Sequence, residues 1–228
     1  MCHPLSAPHR SDEPRLRGSR CDLQNVLERP AMSFWTIGFQ VNSPGIIASF
    51  ASDGRNSLVV FIVEYPGYAD RPGKPSERSL EESADEAIQL LITNGPVYVI
   101  GESLGTGVAA CLAGRYPDKV AGVALLAPYT SLVDVTQARM SLVPVRLLLR
   151  DRFPAQEYLR PYHGPVAMAI AGQDLVIPPK FGRRLYDGYD GPKRLWEFPE
   201  GNHGTVMTQP AEFWKQIVAF WHTRPQTL

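Results

Sequence analysis

The sequence is short of sulfur, of charge imbalance and of long apolar runs. Its 228 residues hold three cysteines, Cys2, Cys21 and Cys111. Three scattered thiols make no disulfide framework and no Cys–His spacing for a metal, so neither is expected to hold the fold. Cys111 falls in an apolar helical pattern and reads as a reduced, buried small hydrophobe. Lys plus Arg and Asp plus Glu stand at 23 each. That balance removes any net attraction to nucleic acid or anionic lipid. No apolar stretch nears the roughly 18 residues that cross a bilayer. The opening MCHPLSAPHRSDEPRLRGSR has no apolar core of a secretory signal, so the expectation is a cytoplasmic chain without a membrane span. Internal repeats and a glycine-rich phosphate loop are missing too, and no cofactor is expected.

What is present is enough for one domain: hydrophobic residues make up 44% of the chain. Residues 1–30 mix Pro, Ser and Arg without periodicity and read as a poorly structured tail, leaving 31–228 as the domain. SFWTIGFQV (33–41) has strand composition, and NSLVVFIVEYPG (56–67) reads as a strand buried on both faces. SLEESADEAIQLLITNG starts on Ser79 with Glu82 three residues later, which predicts a helix capped by Ser79. Further strands are expected at 97–100, 120–128, 164–174 and 193–204, and PAEFWKQIVAFWH closes with helical spacing. Strands alternating with helices predict an α/β fold, a mostly parallel sheet flanked by helices on both faces. In such sheets functional residues collect at the carboxyl ends of strands.

At one such end stands GESLG, residues 101–105, a G-x-S-x-G between a predicted strand and a predicted helix. A serine on so sharp a turn needs neighbours without Cβ atoms, which explains Gly101 and Gly105. The turn projects the Ser103 hydroxyl outward and aims the Leu104 N–H, at the new helix's start, where an oxyanion would form. A serine hydroxyl needs a base, and the base an orienting acid. Asp174 in AGQDLVIPP and His203 in PEGNHGT follow later strands, 71 residues after the serine and 29 further on. The order Ser, Asp, His is that of a strand–turn–helix nucleophile. His3, His9, His163 and His222 lie in the tail, before a strand or in the last helix, and Asp134 is the competing acid.

With these residues in place the chain resembles the α/β-hydrolase superfamily, in particular its small intracellular, depalmitoylase-like serine hydrolases. The carrying stretches are EYPGYADRPGKPSE, GESLGTGVAACLAGRYPDKVAGVALLAPYTSL, AGQDLVIPP and EGNHG, across residues 58–222. The resemblance implies Ser103 as nucleophile, Asp174 as acid, His203 as base and Leu104 N–H as one oxyanion donor. Relatives carry a His-Gly pair after the third strand for the second donor. None precedes Ser103 here; the positional counterpart is TIGFQVN, where the N–H of Gly38 or Phe39 could take that part.

Residues 131–163 exceed a minimal connection and are expected to form a short helical cap. Its Met140, Leu142, Val143, Val145, Leu147, Leu148 and Phe153 read either as an acyl-binding wall or as packing onto the core. Tyr129, Val176 and Ile177 are placed at the pocket, with Thr130 beside them. No Arg or Lys cluster is visible at the strand ends, so an uncharged ester or thioester with a short to medium acyl group is the expected substrate. The alternatives are a thioesterase or peptidase on the same triad, or a weakly catalytic binding protein.

Overall fold

The computed structural model describes residues 34–39, 58–63, 65–68, 71–92 and 95–223. The expected tail at 1–30 lies outside the described residues. Six strands form one sheet in the order β2-β1-β3-β4-β5-β6, all neighbours parallel. They are β1 (Phe34–Phe39), β2 (Leu58–Val63), β3 (Val97–Glu102), β4 (Val120–Leu126), β5 (Val166–Ala171) and β6 (Lys193–Phe198). The helices are α1 (Glu77–Leu91), α2 (Gly105–Arg115), α3 (Leu132–Arg139), α4 (Val145–Leu148), α5 (Ala155–Tyr158), α6 (Pro179–Asp187), α7 (His203–Met207) and α8 (Ala211–His222).

Alternation along the central strands divides the core into two layers. Val97, Val99, Val123, Leu125, Val166 and Met168 face α1, α2 and α6. Tyr98, Ile100, Ala124, Leu126, Ala167 and Ala169 face α7 and α8. The alanines on the second face leave room for the large aromatics of α8, Phe213, Trp214 and Trp221. Trp221 lies so close to β4 that a Cβ on Gly122 would come within 2.5 Å of its ring, and its indole N–H donates to the Val123 carbonyl at 3.1 Å.

Helix α1 begins earlier than its sequence suggests. Ser76, not Ser79, is the cap: its hydroxyl accepts from the Ser79 N–H at 3.1 Å, and Ser79 Oγ accepts from the Ser76 N–H at 2.9 Å. The box is Ser–Ser, so the Ser79/Glu82 pair that fits the pattern lies one turn inside the helix. Glu77, in the first turn, then clamps the 131–163 segment. Its carboxylate accepts from Arg152 N–H at 2.6 Å, Phe153 N–H at 2.8 Å and Tyr158 O–H at 2.8 Å. That segment contains α3, α4 and α5 joined by loops.

Candidate active site

Ser103 follows β3 directly and has φ +48°, a left-handed conformation that costs a residue with a Cβ about 1 kcal/mol or more. The surroundings hold it there. Its N–H donates to Leu126 O at 2.9 Å, at the end of β4, and its carbonyl accepts from Thr106 N–H at 3.0 Å and Thr106 Oγ1 at 2.7 Å. A Cβ on Gly101 would sit 2.5 Å from the Gly105 carbonyl oxygen and 2.8 Å from Ala109 Cβ. Glycine at 101 is therefore what lets α2 start so close to β3. Leu104 caps α2, so its N–H is one of the helix's first and no intrahelical carbonyl claims it.

Two loops bring the partners. Gly172 N–H donates to Phe198 O and Gln173 N–H to Gly201 O, both at 2.8 Å, joining the loop after β5 to the loop after β6. Asp174 is 4% exposed. Its Oδ1 accepts from the Val176 and Ile177 N–H groups at 2.7 Å each, and Oδ2 lies 2.7 Å from His203 Nδ1. His203 opens α7, where Asn202 Oδ1 accepts from Gly204 and Thr205 N–H at 3.0 and 3.1 Å, and Thr205 Oγ1 accepts from Asn202 N–H at 2.8 Å. From that mount His203 Nε2 reaches Ser103 Oγ at 3.0 Å. Ser103, His203 and Asp174 thus form one hydrogen-bonded chain. Asp134 is elsewhere: it accepts the Thr130 hydroxyl at 2.7 Å and faces Arg146.

Other expected positions move. Tyr129 is fully buried behind the turn, donating to the Leu104 carbonyl at 3.0 Å, and a Cβ on Gly107 would sit 2.5 Å from its oxygen. Burial raises its phenol pKa and keeps it a neutral donor. It buttresses the serine turn instead of lining an open pocket. The Ile177 side chain is buried in the core, so its contact with the site is the N–H that holds Asp174, whereas Val176 is exposed. Gly38 and Phe39 are the last residues of β1, paired with Ile100 and Gly101 of β3. That places them at the strand end beside the serine turn, within the sheet rather than in a loop. Of the apolar cap residues, Val145 and Phe153 are buried while Met140, Leu142, Leu147 and Leu148 face solvent, so neither a wall nor core packing describes them all.

Sequence reasoning missed three features. One is the Asn202–Thr205 capping box, legible as Asn-x-x-Thr around the histidine. Another is the Glu77 clamp. The third is a groove of about 510 Å³ beyond the end of β4, where Arg146, Arg152, Arg160 and Arg184 converge with Ser131 and Asp134. These arginines are spread over 39 residues of sequence, so no local cluster announces them. Among the described residues no His, Cys, Asp and Glu group could hold a metal, and no helix is long and apolar enough to cross a membrane.

Residues 40–157, just over half of the chain, match the model of the alpha/beta hydrolase fold family. An uncharacterized protein of Mycobacterium tuberculosis is 34% identical over 151 residues, covering 64% of this chain and 53% of that protein. Lysophosphatidylserine lipase ABHD12 of Danio rerio is 30% identical over 147 residues, covering 56% of this chain and 38% of that protein. The chain spans about half the length of the relatives it matches. Among solved structures, Est1E from Butyrivibrio proteoclasticus with bound ferulic acid superposes with TM-score 0.62 at 14% identity, over 83% of this chain and 90% of that one. Parallel sheet, strand–serine–helix turn and family match agree: the chain belongs to the alpha/beta hydrolase fold family.

Proposed function

We propose that the protein is a serine hydrolase that cleaves carboxylic esters of short to medium acyl chain through an acyl-enzyme. The observation that carries this reading is the unbroken chain from buried Asp174 through His203 to Ser103 Oγ at 2.7 and 3.0 Å. In the first half-reaction Ser103 Oγ forms a bond to the ester carbonyl carbon as His203 Nε2 takes its proton. Asp174 keeps the other ring proton on Nδ1 and stabilises the imidazolium. The tetrahedral oxyanion collapses, the alkoxide leaves with the proton from His203, and the acyl group remains on Ser103. In the second half His203 takes a proton from water as its oxygen bonds to the acyl carbon; the tetrahedral intermediate collapses, the bond to Ser103 Oγ breaks, His203 returns the proton to Oγ, and the acid leaves.

Leu104 N–H serves as one oxyanion donor and the N–H of Gly38 or Phe39 as the other; each donor of this kind is worth about 100- to 1000-fold in rate. The location of β1's end beside Gly101 supports the second assignment. Acyl thioesters, as the resemblance to depalmitoylase-like enzymes implies, ask nothing more of the same groups. A relative named as a lysophosphatidylserine lipase supports acyl-ester chemistry over peptide cleavage. Hydrolysis of p-nitrophenyl acetate, butyrate and octanoate, with matching thioesters and a peptide amide, tests the reading. Ester turnover that vanishes in Ser103→Ala and His203→Ala is expected. Folded wild type no faster than Ser103→Ala on every substrate would refute it.

A further inference from the structure

Among the described residues seven large apolar side chains are exposed, and six belong to two segments: Met140, Leu142, Leu147 and Leu148 after α3, and Leu175 and Val176 after the acid. The Arg139 guanidinium joins the segments by donating to the carbonyls of Leu175 and Val176. Together they form one apolar rim, and Leu175 and Val176 directly follow Asp174 at the site. Leu142 is 97% exposed, Leu147 83% and Leu175 85%. Gln137 Nε2 donates to the carbonyls of Met140 and Val143 at 3.0 Å each, and its Oε1 accepts from Val145 N–H at 3.2 Å. Val145 is buried as the foot of α4, which turns Leu147 and Leu148 outward.

Cations are interleaved with the leucines. Residues 139–152, RMSLVPVRLLLRDR, carry Arg139, Arg146, Arg150 and Arg152 against the single acid Asp151. Asp151 Oδ1 accepts from the Glu77 N–H and points into the fold. The stretch that exposes these leucines therefore also carries four exposed or partly engaged arginines: Arg139 holds the Leu175 and Val176 carbonyls, Arg146 lies 3.8 Å from Asp134, and Arg150 and Arg152 complete the set. We propose that this rim is the docking surface for an anionic lipid bilayer, with the leucines entering the acyl boundary and the arginines meeting headgroup phosphates. A second copy is the less favourable occupant, because a two-fold contact would bring together two surfaces with the same excess of arginines. The proposal is independent of the hydrolytic reading, since it concerns where the protein sits and not what it cleaves.

The test is co-sedimentation of the purified full chain with phosphatidylcholine vesicles, with and without phosphatidylserine. Wild type and Ser103→Ala are expected to bind the anionic vesicles equally and phosphatidylcholine alone more weakly. Each free surface cation contributes about five-fold, and Arg146 is shared with Asp134, so Arg146→Gln/Arg150→Gln should bind at least about five-fold more weakly. Leu142→Ser/Leu147→Ser should lose at least about ten-fold while its melting temperature and its rate on soluble p-nitrophenyl acetate stay those of wild type. Wild type that fails to bind anionic vesicles, or either double variant binding as wild type does, overturns the proposal. So does a wild-type dimer that Leu142→Ser/Leu147→Ser dissociates in the absence of vesicle binding, which assigns the rim to a second copy. Vesicle binding is read without turnover, so an inactive protein that binds separates this inference from the reading of the active site.

Discussion

Asp174→Asn is the sharpest perturbation of the site, because the fold dictates how the new amide must sit. Oδ1 of Asp174 accepts two backbone N–H groups, from Val176 and Ile177, at 2.7 Å each. An asparagine must keep its carbonyl oxygen there, since the opposite orientation would set its NH₂ against two donors. The NH₂ then faces His203 Nδ1, where the carboxylate Oδ2 stood at 2.7 Å. Nδ1 is forced to accept, the ring proton moves to Nε2, and Nε2 can no longer take the proton of Ser103 Oγ. The expected loss in kcat is about 10⁴-fold, or ~5.5 kcal/mol of transition-state stabilisation. Stability should fall far less: the three hydrogen bonds of the carboxylate, from Val176, Ile177 and His203, become neutral, roughly 1–2 kcal/mol in all. For a chain of this size that lowers Tm by about 2–8 °C. Ester kinetics and thermal melting separate the two effects, and ¹⁵N shifts of His203 report the tautomer directly. A variant within ten-fold of wild type, or one whose His203 keeps its proton on Nδ1, would refute the reasoning.

Three other outcomes follow from the same geometry. Gly101→Ala puts a Cβ 2.5 Å from the Gly105 carbonyl, and backbone cannot yield cheaply; it should cost about 2–3 kcal/mol, lower Tm by roughly 5–10 °C, and displace Ser103 enough to remove most ester turnover. Tyr129→Phe leaves the Leu104 carbonyl without its 3.0 Å donor; a loss of about 1 kcal/mol in denaturant melts is expected. Burial, with Glu81 nearby, pushes the Cys111 thiol up to about 12, so it should resist iodoacetamide in the native protein and react on denaturation. The sign for stability follows: between pH 9 and 12 the folded state holds a proton that the unfolded chain releases, so Cys111 makes the protein less stable as pH rises through that window.

The parts legible in the sequence were those set by local pattern. The glycine–serine–glycine turn, the strand that precedes it and the two loops carrying Asp174 and His203 are visible because each rests on residues adjacent in the chain. The apolar runs at 120–128 and 164–174 likewise announce buried strands, since parallel strands covered on both faces need no polar alternation. Features made by distant residues were hidden. Ser79 fits a capping box by pattern, but α1 begins one turn earlier, where Ser76 caps it and Glu77 holds Arg152, Phe153 and Tyr158, contacts with residues far away in the chain. Tyr129 reads as a pocket residue until Gly107 is seen packed against it. Net charge conceals the arginines of 139–152, because balance over the whole chain says nothing about one face. The leucines of that stretch look like core by composition, and their exposure is a tertiary fact.

The central claim is that Ser103 is the nucleophile, activated by His203. Treating the folded protein with a fluorophosphonate and locating the adduct by peptide mass spectrometry tests it most directly. The account predicts one adduct, on Ser103, absent from Ser103→Ala and formed far more slowly in His203→Ala. No adduct on folded wild type, or one that persists in Ser103→Ala, would contradict it.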